Sequence, residues 1–272
     1  MKIAATICFS LLTLSLVACT PHASVDQEHP TLSQIESMNS RQFTEKSTKS
    51  NSIRLAALRD TAMGYAAQQA LAERSDQINA LLNKQAKQLD HVFNFSNIML
   101  DHHVVPPVLE VGNNALRLDG AQTIRISDKN YKILKQAHFA TVSPSWRDYL
   151  WMNFTKPAKP DITLLPKNHA EQAYWKKYSA QGWHNGLSQA NQILDQNLGR
   201  LKRDYEGMVL YHELLARHMV SQPYVAKTEM GITGGGDHMN IHDQLLRITA
   251  LPGLNVETSK WKTALRYDDD NS

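Results

Sequence analysis

One apolar stripe dictates most of what this chain can become. Trp183, Leu187, Ala190, Leu194, Leu198, Leu201, Tyr205, Met208, His212, Leu215 and Met219 recur at steps of three or four. Ten steps cover 36 residues, a mean of 3.6, which is the period of a straight α-helix rather than of a coiled coil. Such a helix runs about 55 Å and predicts the spine of a single domain. Gly199 and Gly207 fall within it, where they bend the helix or admit a second backbone. Gln222-Pro223 is expected to stop it.

A second helical region spans Ile53 to about Phe95, with Ile78, Leu81, Gln85, Leu89 and Val92 on one face. Ser75 or Asp76 is placed to cap a second helix inside it. Pro106-Pro107 then forces an extended path. Three strand signals follow: 115–118, 123–127 and 131–139. Asp119-Gly120 and Asp128-Lys129-Asn130 separate them as turns, and Asp-Gly is a strong hairpin cue. Leu116/Leu118 and Ile124/Ile126 alternate with polar residues, as half-buried strands of a small antiparallel meander would. Residues 146–154 carry Trp146, Tyr149, Trp151 and Phe154, and are expected to form a short helix under the meander. A Lys-Pro loop follows over 156–160. After the long helix, 223–230 and 238–250 read as two strands around the glycine-rich turn 231–237. The fold class is therefore α+β: long amphipathic helices packed with a small antiparallel meander and hairpins.

The N-terminus has its own chemistry. Met1-Lys2 and the apolar run Ile3 to Val17 have the layout of a secretory signal peptide, too short for a membrane span of about 20 residues. Leu16-Val17-Ala18-Cys19 is what a bacterial lipoprotein processing site looks like. Cleavage is expected between Ala18 and Cys19, with S-diacylglycerol on the Cys19 thiol and an N-palmitoyl chain on its freed amine. Several acyl chains, at about 0.8 kcal/mol per buried CH₂, give stable anchoring where one would be marginal. Thr20 follows the cysteine, not the aspartate that holds such lipoproteins in the inner membrane, so the expected address is the outer membrane with the domain in the periplasm. Residues 1–18 are thus the signal peptide, 19–52 a flexible lipidated tether, 53–265 one α+β domain and 266–272 a frayed charged tail. Removing residues 1–18 leaves 272 − 18 = 254 residues with 28 basic and 26 acidic side chains. That balance gives no general electrostatic pull on nucleic acid. Cys8 leaves with the signal and Cys19 carries lipid, so the domain has no disulfide and relies on packing.

Catalytic patterns are weak. His212-Glu213 and His218 lie six apart, where a zincin helix needs histidines four apart. His212 sits on the apolar stripe and reads as a satisfied core histidine. His238 and His242 are four apart, flanked by Asp237 and Asp243, and would share one face of a strand. They are weak metal candidates because no third ligand is marked. Gly234-Gly235-Gly236 lacks the Lys-Ser/Thr of a phosphate loop. No catalytic residue and no cofactor is assigned.

Taken together, the lipobox, Pro106-Pro107-Val108-Leu109-Glu110, the Asp-Gly hairpin, Trp146-Arg147-Asp148-Tyr149-Leu150 and the Gly182-Trp183 entry to one long helix resemble the DotC family. These are lipoproteins of type IVB (Dot/Icm-type) secretion systems. Length and signal region are most like the members from IncI-type conjugation systems, the TraI lipoproteins, unrelated to the relaxase of that name. The resemblance covers roughly 53–262 and implies a non-enzymatic structural subunit. It implies a DotD-like lipoprotein and a DotH-like subunit as partners, the latter brought to the outer membrane, within a ring-shaped core complex. Two other readings stand beside it. One is a periplasmic metal-dependent hydrolase using His238, His242 and Asp243; the other is a stand-alone lipoprotein that binds the envelope.

Overall fold

The structure is a computed structural model and describes residues 30–40 and 52–262. Its helices are α1 (Leu32–Glu36), α2 (Ser52–Lys84), α3 (Ala86–Val92), α4 (Trp146–Leu150) and α5 (His169–Ala216). Its strands are β1 (Val104–Val105), β2 (Val108–Gly120), β3 (Thr123–Lys135), β4 (His138–Phe139), β5 (Tyr224–Gly234) and β6 (Met239–Ala250). The α+β class expected from the sequence is what the chain forms.

Helices α2 and α5 are the frame, and they run parallel. Arg54 pairs with Glu171, Met63 meets Gly182, Ala67 meets Gly186 and Arg74 meets Asn191, so both chains ascend together. The contact is made by small residues. A Cβ on Gly182 would sit 2.3 Å from the Met63 carbonyl oxygen, and one on Gly186 2.2 Å from that of Ala67. Ala62, Ala66 and Ala70 line the facing side of α2 and are fully buried. Parallel helices need a return path along their length. The stretch between α4 and α5 supplies it, held to α2 at three heights. Asn79 exchanges hydrogen bonds with the Met152 backbone. Gln69 Nε2 donates to the Pro157 carbonyl, and Arg54 donates to the carbonyls of Thr163 and Leu165. Pro157, Pro160 and Pro166 favour the extended path this requires.

The spine is longer than its stripe. Helix α5 has 48 residues, about 72 Å at 1.5 Å per residue, and begins fourteen residues before Trp183. Its first turns bury Glu171, Trp175, Ser179 and Gly182 against the small face of α2, so aliphatic periodicity does not mark them. Asn168 caps the start, its side chain accepting from the Glu171 N–H at 2.9 Å. The end also comes earlier than Pro223. Met219 N–H bonds the Leu214 carbonyl and His218 N–H the Leu215 carbonyl, with His218 at φ 57°. This is a Schellman stop with histidine in the left-handed position. No helix begins at Ser75 or Asp76: Ser75 Oγ donates back to the Leu71 carbonyl, and α2 continues to Lys84.

The expected meander is a two-stranded ribbon. Strands β2 and β3 pair antiparallel from Val108–Lys135 out to Gly120–Thr123, and β1 with β4 extends the ribbon at its base. Asn130, Lys129 and Ser127 pair with Gly112, Asn113 and Ala115, so no turn forms at 128–130. The hairpin turn sits at 121–122, just past the Asp-Gly cue. Helix α4 packs at the ribbon's base as expected, where Trp146 and Leu150 meet Phe95, Val105, Val108, Leu201 and Met208. Ribbon β5–β6 forms, but β5 runs on through residues 231–234, expected in the turn, so the turn comes only after Gly234, where φ is 143° and a Cβ would meet the His238 carbonyl oxygen at 2.3 Å.

Part of the expected tether is docked. Thr31 and Gln34 form a capping box, with Thr31 N–H donating to Gln34 Oε1 at 2.8 Å. Ile35 is fully buried against Tyr65 and Ala66, with Trp183 beside it. Trp175 Nε1 donates to the Ile35 carbonyl at 2.9 Å, Gln172 bonds the Glu36 carbonyl, and Ser40 N–H bonds the Pro166 carbonyl. The signal peptide, Ala18, Cys19, the remaining tether and the 266–272 tail lie outside the described residues.

Candidate assembly surface

Two ribbons leave the C-terminal third of α5 and carry rows of exposed apolar side chains. The first is seated by a backbone contact. Gly207 of α5 lies so close to β2 that a Cβ there would meet the Leu109 carbonyl oxygen at 2.5 Å. Leu109 packs with Tyr211, Leu214 and Val220, and Tyr131 and Ile133 join them from β3. Burial pushes the Tyr211 hydroxyl up to about 12, and its O–H donates to the Ser221 carbonyl. A charged hub locks the seat. Asp204 is fully buried and accepts from Lys135 Nζ of β3 at 2.5 Å, Arg203 Nη2 at 2.9 Å and the Tyr149 hydroxyl at 3.2 Å. Burial pushes the Asp204 carboxyl up, but the two cations outweigh it and hold it below the usual carboxylate range. Tyr149 is pushed up by burial and by the Asp204 charge.

Beyond this seat the apolar face of the ribbon changes sides. Near the base the inward residues are Leu109, Tyr131 and Ile133, all at odd numbers. Toward the tip the aliphatics are Leu116, Leu118, Ile124 and Ile126, all even. Leu116 stands opposite Ile126 and Leu118 opposite Ile124, so the four share one face, and each is 54–75 % exposed. The pairing register is unbroken from Leu109 to Leu118, so strand alternation sets the even-numbered side chains on the face opposite the odd-numbered ones. The tip face therefore points away from the side that touches α5. The half-buried strands expected from the alternation are thus exposed strands in the single chain. The opposite tip face carries Arg117 directly across from Arg125.

Ribbon β5–β6 presents Ile232 opposite Ile241, with Met230 and Met239 nearby, all more than half exposed. Two irregularities offset each other here, one at Met230-Gly231 and one at His242, where φ is 72° at Gly231 and 59° at His242. His242 therefore does not follow strand alternation, and His238 sits in the turn with its Nδ1 2.7 Å from Asp237 Oδ1. The shared strand face that made the two histidines a metal candidate is not formed. Among the described residues no group of three or more His, Cys, Asp or Glu side chains gathers around a metal-sized site. His212 is a satisfied histidine, as expected: Nε2 lies 2.8 Å from the Ile98 carbonyl oxygen. Among the described residues no helix is long and apolar enough to cross a membrane.

The parity change between Val111 and Leu116 is visible in the sequence and marks the exposed tip. The Thr31-x-x-Gln34 box is likewise visible and marks the docked segment. The Asp204 hub has no such signal, because its partners are 69, 55 and 1 residues away in sequence.

No curated protein matches the chain. The family described as type IV secretory system, conjugal DNA-protein transfer, matches residues 52–263. That span takes in both long helices and both ribbons, and this chain belongs to that family of secretion and conjugation proteins.

Proposed function

We propose that this chain is a structural lipoprotein of a conjugative type IV secretion core complex, anchored in the outer membrane through lipid on Cys19. It presents its domain to the periplasm, without catalysis. Together with a DotD-like lipoprotein it places a DotH-like subunit at the outer membrane. Family membership over 52–263 carries the reading. The lipobox at Leu16–Cys19 and two ribbons with uncovered aliphatic faces support it. The docked segment supports an orientation as well. Ten residues separate Cys19 from Pro30, a reach of about 38 Å at full extension over eleven chain steps. Docking is to Trp175 and Trp183 in the N-terminal third of α5, whereas the ribbons leave near Gly207 and after Ala216. The anchored end and the ribbon end are thus opposite ends of the spine.

Replacing Cys19 by serine tests this. The variant is expected in the soluble periplasmic fraction, without radiolabelled palmitate, and with conjugative transfer strongly reduced. Full transfer by a protein that still fractionates with outer membrane and carries no label would overturn the proposal.

A further inference from the structure

We propose that residues 263–270 of this chain dock in the groove between ribbon β2–β3 and the end of α5. Leu265 and Tyr267 fill the groove, and Asp268, Asp269 and Asp270 run out along the ribbon over Lys129 and Arg117. The contact lies within one chain and depends neither on the lipid anchor nor on a partner.

The groove is on the side of the ribbon opposite the aliphatic tip. Its ribbon wall is odd-numbered, with Val111 and Tyr131 at the base and Lys129 farther out, and its helix wall is Leu210 and Leu214. The cavity is about 590 Å³, and Val111 is still 42 % exposed. A second cavity of about 280 Å³ continues from Lys129, Tyr131 and Leu214 to Trp261.

The point where the described chain stops argues for the occupant. Lys262 is the last described residue, and its N–H donates to the Arg217 carbonyl at 2.9 Å. Arg217 lines the first cavity and Trp261 the second, so residue 263 starts at the mouth of the groove. Leu265 and Tyr267 lie three and five residues on, within about 10 and 17 Å of Lys262, and in an extended segment they share one side. Asp268 to Asp270 follow at about 20–28 Å, while Val111 to Arg117 spans about 20 Å of ribbon. Arg217 also lacks an acceptor. Its Nη2 donates to Glu213 Oε1 at 2.6 Å, but its buried Nε has no hydrogen-bond partner among the described residues. A backbone carbonyl of the arriving segment supplies one.

Charge selects the same face. Odd-numbered positions from 111 to 131 carry Arg117, Arg125 and Lys129 against Asp119, giving 3 − 1 = +2. Even-numbered positions in that span carry Asp128 alone, giving −1. Residues 263–270 carry Arg266 against three aspartates, giving 1 − 3 = −2. Arg125 already has an interaction within the chain, so Lys129 and Arg117, both exposed, are the cations offered to the acidic run.

The test uses the full chain in cells with Val111→Cys and Leu265→Cys combined, read on non-reducing gels. The expected result is a faster-migrating monomer that reverts on reduction. The Leu265→Cys single variant is the blank for any bond to Cys19. Asp128→Cys with Leu265→Cys puts the thiol on the other face of the ribbon and is expected to give at least fivefold less of the bridged monomer. Replacing Asp268, Asp269 and Asp270 together by lysine in the Val111→Cys, Leu265→Cys chain is expected to lower it at least fivefold as well. Equal bridging from positions 111 and 128 would mean that the segment is merely within reach, and an undiminished bridge in the lysine variant that charge does not place it. Either would overturn the contact. So would the absence of a bridge, dimers that put a second copy's segment in the groove, or bridges from Val111→Cys to another protein.

Discussion

The α-carbon of Gly207 faces the Leu109 carbonyl oxygen so closely that a β-carbon would lie 2.5 Å from it and 2.6 Å from Val108 Cγ1. Helix and ribbon touch here backbone to backbone, and no flexible side chain is available to give way. Gly207→Ala is expected to destabilise by about 2 kcal/mol, even though alanine favours a helix interior by about 1 kcal/mol over glycine. Gly199 is the control, because a β-carbon there meets nothing within 4 Å. Gly199→Ala is expected to stabilise by about 0.5–1 kcal/mol. Urea midpoints of both variants decide the matter, and equal shifts would show that the ribbon is not seated at Gly207.

Ile35 tests whether the segment before α2 belongs to the domain. Its side chain is fully buried and its carbonyl accepts from Trp175 Nε1. Ile35→Ala removes buried methyl groups and is expected to cost about 2–4 kcal/mol at that site. The segment is short, and its loss leaves the α2–α5 contact intact. The effect should therefore appear as early proteolysis within 30–40 and a shifted Trp175 emission, ahead of global unfolding. Unchanged proteolysis would mean that the docking contributes nothing.

Asp204 couples ribbon stability to pH. Its carboxyl is held below the ordinary range, so the folded state binds its proton more weakly than the unfolded state does. The stabilisation is therefore complete above the ordinary carboxylate value of about 4 and is lost as pH falls through the lower folded value. Asp204→Asn keeps the shape and removes the charge. Its stability deficit against the parent should stay constant from about pH 7 to pH 5 and shrink below about pH 4. Urea midpoints across that series give the answer, and a deficit that grows on acidification would reverse the assignment.

The sequence is legible where one physical signal dominates and silent where a distant part of the chain supplies the reason. The apolar stripe marks α5 from Trp183 onward because aliphatic residues bury there. It misses the first fourteen residues, where the buried positions include Glu171 paired with Arg54, Ser179 and Gly182 against Met63, and no aliphatic period marks them. Pro223 is the expected stop, yet the helix ends through two hydrogen bonds around His218, a residue type that visits positive φ more often than most but is no stop signal by itself. Asp128-Lys129-Asn130 has turn chemistry, but it lies opposite Gly112 and Asn113, and the long ladder overrides it. Alternation in 116–126 gives the right strands and the wrong partner. It reports an apolar face that the described residues leave exposed.

The ribbon tip separates folding from assembly most directly. Leu118 and Ile124 form one cross-strand pair, and both are more than half exposed. Leu109, nine residues earlier on the same strand, is buried between Tyr211 and Leu214. Leu109→Ala should therefore cost about 3 kcal/mol, the usual range for a buried leucine. Leu118→Asp combined with Ile124→Lys should change the urea midpoint of the isolated chain by no more than about 0.5 kcal/mol, since surface substitutions away from buried contacts rarely do more. Their effect belongs in the assembled state. If the tip face is covered by another protein surface, the same pair should abolish conjugative transfer while monomer levels in the envelope stay at those of the parent. Immunoblots of fractionated cells beside mating assays measure both quantities together. Transfer at the parental level would mean that the aliphatic face serves no assembly, and a large loss of monomer stability would mean that the face is covered by its own chain.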